Sequence, residues 1–273
     1  RRVINTHEDA DHVWGNQLFA GAEIIAQRKV AERMPQVADP KETQDLLKSA
    51  SHFLPRLLLR VLHPGALAIA TQLLQDYDFD GIRLVLPTTV FDEQHVLDLD
   101  GTEVRLIHVG PCHQVGDTII HVPREGVVFA GDVLFRQCTP MGWTGSYAKW
   151  IKILDLIISL KPEVIVPGHG PVCGIEGVIE MKAYLEYLRE ESRTCFEKGL
   201  SSFEAAKRKA QELRSRVVLG ANPAAEKTTR RATPRYAELA RELGVQVADQ
   251  APVEDIRAGV LALLGWLAVF GAI

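Results

Sequence analysis

Seven residues near the start constrain this chain more than any other stretch. Thr6-His7-Glu8-Asp9-Ala10-Asp11-His12 follows directly on the short apolar run Val3-Ile4. Carboxylates and imidazoles crowded so closely repel in like-charge pairs and are costly to desolvate; a divalent cation relieves both penalties. Taken alone, the stretch reads equally well as a polar loop capping a helix, since Thr and Asp are good N-cap residues and acids suit a first helical turn. His7-Glu8 begins like H-E-x-x-H, but Asp11 occupies the position where that motif needs its second histidine, so a zincin helix is excluded. The expected geometry is a strand-to-helix turn with its ligands pointing inward.

Three later runs end in the same kind of residue. Val104 to Val109 leads into Pro111-Cys112-His113-Gln114-Val115-Gly116-Asp117. Val127-Val128-Phe129-Ala130-Gly131 ends in Asp132, and Val164-Ile165-Val166-Pro167-Gly168 ends in His169. Each is a β-type run that delivers one His or Asp at its C-terminal end, beside glycine that lets backbone approach closely. Together with the opening cluster they suggest a site assembled from loops at one edge of a sheet.

These motifs, in this order, resemble those of the metallo-β-lactamase-fold hydrolases: H-x-H-x-D-H, a single His, Gly-Asp and Gly-His. The resemblance spans about residues 3 to 190. It implies an α/β fold, a four-layer αβ/βα sandwich, with a catalytic domain over residues 1–198. Within that domain a helical insert is expected over about 28–80, and a helical C-terminal extension over 199–273. The chain opens on Arg1-Arg2-Val3-Ile4-Asn5, already in the strand leading to the ligand loop. Several strands precede this point in the resembled family, so a sheet lacking its first strands is expected.

In chain order, Val13 to Phe19 reads as a short helix and turn, and Ala22 to Ala26 as a buried strand. Val30 to Met34, Glu42 to Val61 and Pro64 to Tyr77 read as helices, suited either to capping the site or to packing alone. Short strands are expected at Ile82–Leu86, His95–Leu99 and Val104–Val109, with Asp100-Gly101 as a hairpin turn. Helices follow at Ser146–Leu160, with Trp150, Ile153, Leu154 and Ile157 on one face, and at Ile175–Lys198. His52, His63, His95, His108 and His121 are read as structural. Ser201 to Val218 is a charged helix capped by Ser201 or Ser202. The apolar run Gly259–Ile273 falls short of the about 20 residues that span a bilayer, and reads as a packing or partner-binding helix.

Charge and cysteine usage exclude some classes. Thirty-one Lys and Arg against 35 Asp and Glu give a net charge of −4, no electrostatic case for nucleic acid. Four cysteines, Cys112, Cys138, Cys173 and Cys195, are widely spaced without a C-x-x-C pair, which fits a reducing cytosol. A nucleophilic pair of Cys112 with His113 is the poorer reading, because neighbours at a strand end point opposite ways.

By position in the resembled motifs, one metal takes His7, Asp9 and His113, and the other takes Asp11, His12 and His169, with Asp132 bridging. Asp11 is also the catalytic candidate. Imidazole and carboxylate donors suit one or two divalent ions, zinc first, with manganese or iron as alternatives. A metal-bound hydroxide would attack an ester, thioester or amide carbonyl. Asp9 stands where the family usually has histidine. A carboxylate there weakens the Lewis acidity of the first metal, shifts preference towards manganese or iron, or leaves that site empty.

A finer likeness to the cyclase and thioesterase members of aromatic polyketide pathways rests on three segments. They are His12 to Leu18 running into Ala22 to Ala26, Gly145-Ser146-Tyr147 before Trp150, and the helices after His169. It implies an enzyme acting on a small-molecule or carrier-bound thioester. The cysteine usage adds a cytoplasmic location, the charge balance no nucleic acid, and the lack of a basic polar face in 259–273 no membrane partner, with a homodimer as the candidate assembly. The competing readings are a β-lactam-cleaving enzyme of the same fold, disfavoured because lactamases usually carry cysteine in place of Asp132, and a non-catalytic binding protein with a degenerate metal site.

Overall fold

The computed structural model describes residues 1–42, 44–45, 81–202, 204–206 and 208. Most of the expected insert and of the C-terminal extension, including His52, His63 and the apolar run 259–273, lies outside the described residues.

Two sheets form from the alternating and apolar runs. The smaller contains β1 (Arg2–Ile4), β2 (Glu23–Gln27) and β3 (Thr89–Phe91), all parallel, in the order β1-β2-β3. The larger contains β4 (Gln94–Leu99), β5 (Thr102–His108), β6 (Thr118–Val122), β7 (Val127–Phe135) and β8 (Val164–His169) in sequential order. Pairing is antiparallel from β4 to β7 and parallel between β7 and β8. The β4–β5 hairpin closes through Asp100 and Gly101, both at positive φ (52° and 86°), as expected of a turn that matches strand twist.

The sheets are flanked by α1 (Ala10–Val13), α2 (Arg28–Val37), α3 (Tyr147–Ser159) and α4 (Ile175–Glu197). The parallel pair β7–β8 needs a crossover connection, and α3 supplies it. Side-chain alternation assigns the layers. In β2, Ala26 faces Val30 and Met34 of α2, while Ile25 faces Leu97, Val104 and Leu106 of the larger sheet. The opposite face of the larger sheet, with Val128 and Ile165, is covered by Trp150, Leu154 and Ile157 of α3 and by Val178 and Leu185 of α4. The order is therefore helix, sheet, sheet, helices: a four-layer αβ/βα sandwich. Each fully buried Leu, Ile or Val contributes about 1.5–3 kcal/mol, so the layers on either side of the larger sheet hold β7 and β8 firmly. Trp150 locks α3 further, its indole N–H donating to the Val133 carbonyl at 2.8 Å.

One expected strand is misplaced. Ile82–Leu86 forms no ladder; the chain there is extended, and the strand pairing with β2 is β3, beginning at Thr89. Asn16 explains part of the difference, since its side chain donates to the Val85 carbonyl and satisfies that segment without a sheet partner. Ser146 caps α3, its hydroxyl accepting from Lys149 N–H. Beyond α4, Ser201 rather than Ser202 is the cap: Ser201 Oγ accepts from Glu204 N–H, while Glu204 reaches back to the Ser201 N–H. No helix among the described residues is long and apolar enough to cross a membrane.

Candidate metal centre

The opening cluster sits between β1 and α1. Asp9 occupies the N-cap position of α1, yet its side chain makes no capping hydrogen bond. Instead Asp9 Oδ2 lies 2.9 Å from His113 Nε2, across 104 positions of sequence. The carboxylate is therefore turned towards His113 rather than onto its own helix.

The seven ligand candidates converge in three overlapping groups. His7, Asp9 and His113 form one, Asp11, His12 and His169 a second, and His7, His12 and Asp132 a third, each with donor atoms within 4.8 Å of one another. Asp132 occupies the middle. Its carboxylate oxygens lie 3.9 Å from His7 Nε2, 3.2 Å from His12 Nε2, 3.4 Å from His113 Nε2 and 3.4 Å from His169 Nε2.

β7 delivers Asp132 through irregularity. The register against β8 shifts between Phe129 and Gly131 and again between Gly131 and Phe135, and bulges of this kind re-aim a side chain. Gly131 takes φ +53° with Thr6 pressed against it, a position hostile to any Cβ. Gly168 is equally constrained, because a Cβ there would collide with Asp132 Oδ1.

The donor chemistry fits a metal. The carbonyl of Met141 accepts a hydrogen bond from His113 Nδ1 at 2.6 Å, so Nδ1 carries the proton and Nε2 is the nitrogen facing Asp9. Neutral imidazole would then set a lone pair against a carboxylate; only a cation between them, or a second proton, resolves the clash. His7 Nε2 is buried with no hydrogen-bond partner among the described residues. His12 Nε2 and His169 Nε2 face each other at 3.3 Å beside Asp11 and Asp132. Orphaned and opposed donors of this sort are what coordination satisfies.

Without a cation, protons hold the cluster together. Burial works to lower the pKa of His12, but hydrogen bonds to Asp11 and Asp132 outweigh it and raise it to about 9. His169, bonded to the same two acids, rises to about 10. Burial opposes charge on Asp132 and Asp11, yet the imidazoles hold both well below the usual carboxylate range. His7 is lowered to about 3, chiefly by burial and then by His12. Burial also opposes protonation of His113, but Asp9 and Asp132 leave its pKa raised.

The site is graded in exposure. The side chains of His7 and His113 are 1% exposed and that of Asp9 19%, whereas His169 and Asp11 are 42% and 60% exposed. Among the described residues, the Asp11 side of the cluster is the more exposed one.

Three polar residues without an assigned role in the sequence reading support the cluster. Asp117 is buried and accepts the N–H groups of Cys112 (3.0 Å) and Gln114 (2.9 Å), fixing the loop that carries His113; burial pushes its pKa up to about 7. Gln114 donates from Nε2 to Asp9 Oδ1. Glu8, fully buried between two ligands, accepts from Arg33 at 3.0 Å and from Gly116 N–H at 3.3 Å, joining the ligand loop to α2. Their signal in sequence was only position: an acid between ligands, and a Gly-Asp pair closing the His113 stretch. Cys112 is buried, its thiol directed to the Val109 carbonyl and pushed up in pKa by burial, which opposes the thiolate that a nucleophile needs. His108 contacts the Val115 carbonyl through Nε2, a structural role.

Residues 1–169 match the family model described as the Metallo-beta-lactamase superfamily. The chain belongs to that superfamily. A type 2 metallo-beta-lactamase from Bacteroides fragilis is 27% identical over 116 residues, 40% of this chain and 47% of that protein. The 2,4-dinitroanisole O-demethylase subunit alpha from Nocardioides sp. (strain JS1661) is 30% identical over 28% of this chain and 24% of its own length. This superfamily member thus spans between about a quarter and a half of the curated relatives it matches. Among solved structures, a metallo-beta-lactamase family protein from Thermus thermophilus is 16% identical, with a TM-score of 0.45, covering 100% of this chain and 75% of its own.

Proposed function

We propose that this member of the superfamily is a metal-dependent hydrolase of ester or thioester carbonyls, with the seven converging residues as its metal ligands. The observation that supports it best is Asp132, whose carboxylate reaches all four histidine Nε2 atoms and so stands between the two ligand trios. When bound there, divalent metal supplies Lewis acidity and a water of lowered pKa. His7, Asp9 and His113 hold the buried side of the centre, with His113 oriented by Met141. Asp11, His12 and His169 hold the open side. Asp11 is the most exposed acid of the set and is placed to take a proton from an incoming nucleophile.

A thioester, small or carrier-bound, is the favoured substrate, on the likeness of His12 to Leu18 running into Ala22 to Ala26, of Gly145 to Tyr147 before Trp150 and of the helices after His169 to the polyketide cyclase and thioesterase members. Zinc is the expected ion. Four free cysteines fit a reducing compartment. A second reading, β-lactam cleavage, is favoured by the 27% identity to the Bacteroides fragilis enzyme.

The experiment is chelation followed by reloading with zinc or manganese, assayed on a panel of acyl thioesters, esters, penicillins and cephalosporins. Thioester hydrolysis should vanish on chelation and return with metal. Turnover of lactams alone transfers the assignment to the second reading, and undiminished thioester hydrolysis after chelation removes metal dependence. Metal bound without turnover of any substrate leaves a binding protein.

A further inference from the structure

Asp9 is the ligand candidate whose surroundings the superfamily assignment does not explain. A carboxylate can grip a cation through either oxygen or both. Here Oδ2 faces the imidazoles, 2.9 Å from His113 Nε2 and 3.9 Å from His7 Nε2, while Oδ1 is taken by the carboxamide of Gln114. Gln114 is 4% exposed, and its Oε1 finds no hydrogen-bond partner among the described residues. Burying half an amide unsatisfied is costly, so the side chain is not positioned to satisfy itself. Its backbone is pinned by Asp117, through the 2.9 Å bond from Gln114 N–H. The donor is thus delivered to Asp9 from a fixed base.

We propose that Gln114 is a positioning residue that makes Asp9 a one-oxygen ligand and sets the affinity of the buried site. The inference rests on the reading above that the cluster binds metal. The N–H of Gln114 occupies the second oxygen and draws charge from the carboxylate. What remains, Oδ2, presents one donor atom between His7 and His113, much as a single imidazole nitrogen would. Asp9 with Gln114 therefore substitutes as a pair for a histidine, and the partner matters only while residue 9 is a carboxylate. Groups that orient a ligand from behind commonly change metal affinity by about 10–100-fold when removed.

The test is a double-mutant cycle read by metal affinity. Wild type, Gln114→Met, Gln114→Ala, Asp9→His and Asp9→His with Gln114→Met are stripped and titrated with zinc against a chromophoric chelator. Cobalt(II) absorption spectra report the ligand field separately. Gln114→Met keeps the length of the side chain and removes the donor, and thermal melting of the stripped proteins checks that each is folded. Gln114→Met should weaken one zinc site about 10–100-fold and alter the cobalt spectrum, and in the Asp9→His background it should do neither. Unchanged zinc affinity and cobalt spectrum in both Gln114 variants overturn the proposal, as does an equal loss in the Asp9→His background. A wild type that binds no zinc overturns this proposal, and one that binds none of zinc, manganese and iron overturns the hydrolase reading with it. Hydrolysis is read separately, and its absence from a zinc-binding wild type removes the hydrolase reading alone.

Discussion

Replacing Asp132 by Asn keeps the shape of the side chain and removes its charge, so it isolates what the carboxylate contributes. Asp132 lies 3.2–3.9 Å from four imidazole nitrogens that converge on the proposed metal positions. One pair of unit charges about 4 Å apart, at an effective dielectric of about 20, interacts by about 4 kcal/mol. At about 1.4 kcal/mol per factor of ten, that is about a 10³-fold loss in affinity for a cation. The assay is zinc competition against a chromophoric chelator, with metal content after dialysis as a second readout. Turnover should fall with metal content. The stripped variant should also melt at a lower temperature at neutral pH, because His12 and His169 lose a counter-ion that keeps them protonated. A loss of about 100-fold or less is what a residue merely behind the ligands produces, and would refute the central placement of Asp132.

Three further outcomes follow from the geometry. Gly168→Ala drives a Cβ into Asp132 Oδ1 and the Gly131 backbone, so zinc content should fall while circular dichroism stays unchanged; full metal content would mean β8 yields at that point. In the metal-free protein the pKa values of His12 and His169 are raised to about 9 and about 10, so their contribution is complete below the unfolded value of 6.5 and is lost as pH rises through those values. Melting temperature of the stripped protein should therefore decline towards pH 10 while that of the zinc-loaded protein does not; His7, lowered to about 3, acts only below 6.5 and leaves this alkaline limb unmasked. Asp117→Ala leaves the N–H groups of Cys112 and Gln114 buried without an acceptor, at about 1–3 kcal/mol each. Denaturant unfolding should show that loss, and a change below about 1 kcal/mol would indicate that another acceptor replaces the carboxylate.

The sequence by itself supplied the ligand candidates and, through the resemblance its four motifs carry, the expectation of the sandwich. His113, Asp132 and His169 stand out beside the ends of β-type runs, whereas His7, Asp9, Asp11 and His12 read as ligands only once the four motifs are taken together and their resemblance to the family is added. Apolar β-type runs marked β5 and β7, because burial on one or both faces leaves that imprint. Tertiary structure decided what the backbone of one segment does when the side chain of another satisfies it. Ile82–Leu86 carries a strand's composition but yields its pairing role to Thr89–Phe91, with Asn16 bonded to Val85 from a distant turn. Support for the ligands was hidden for the same reason. Glu8, Gln114 and Asp117 act through contacts with Arg33, Asp9 and the N–H groups of the loop that carries His113. A hydrogen bond leaves no periodicity in the chain, and becomes visible only when both partners are placed in space.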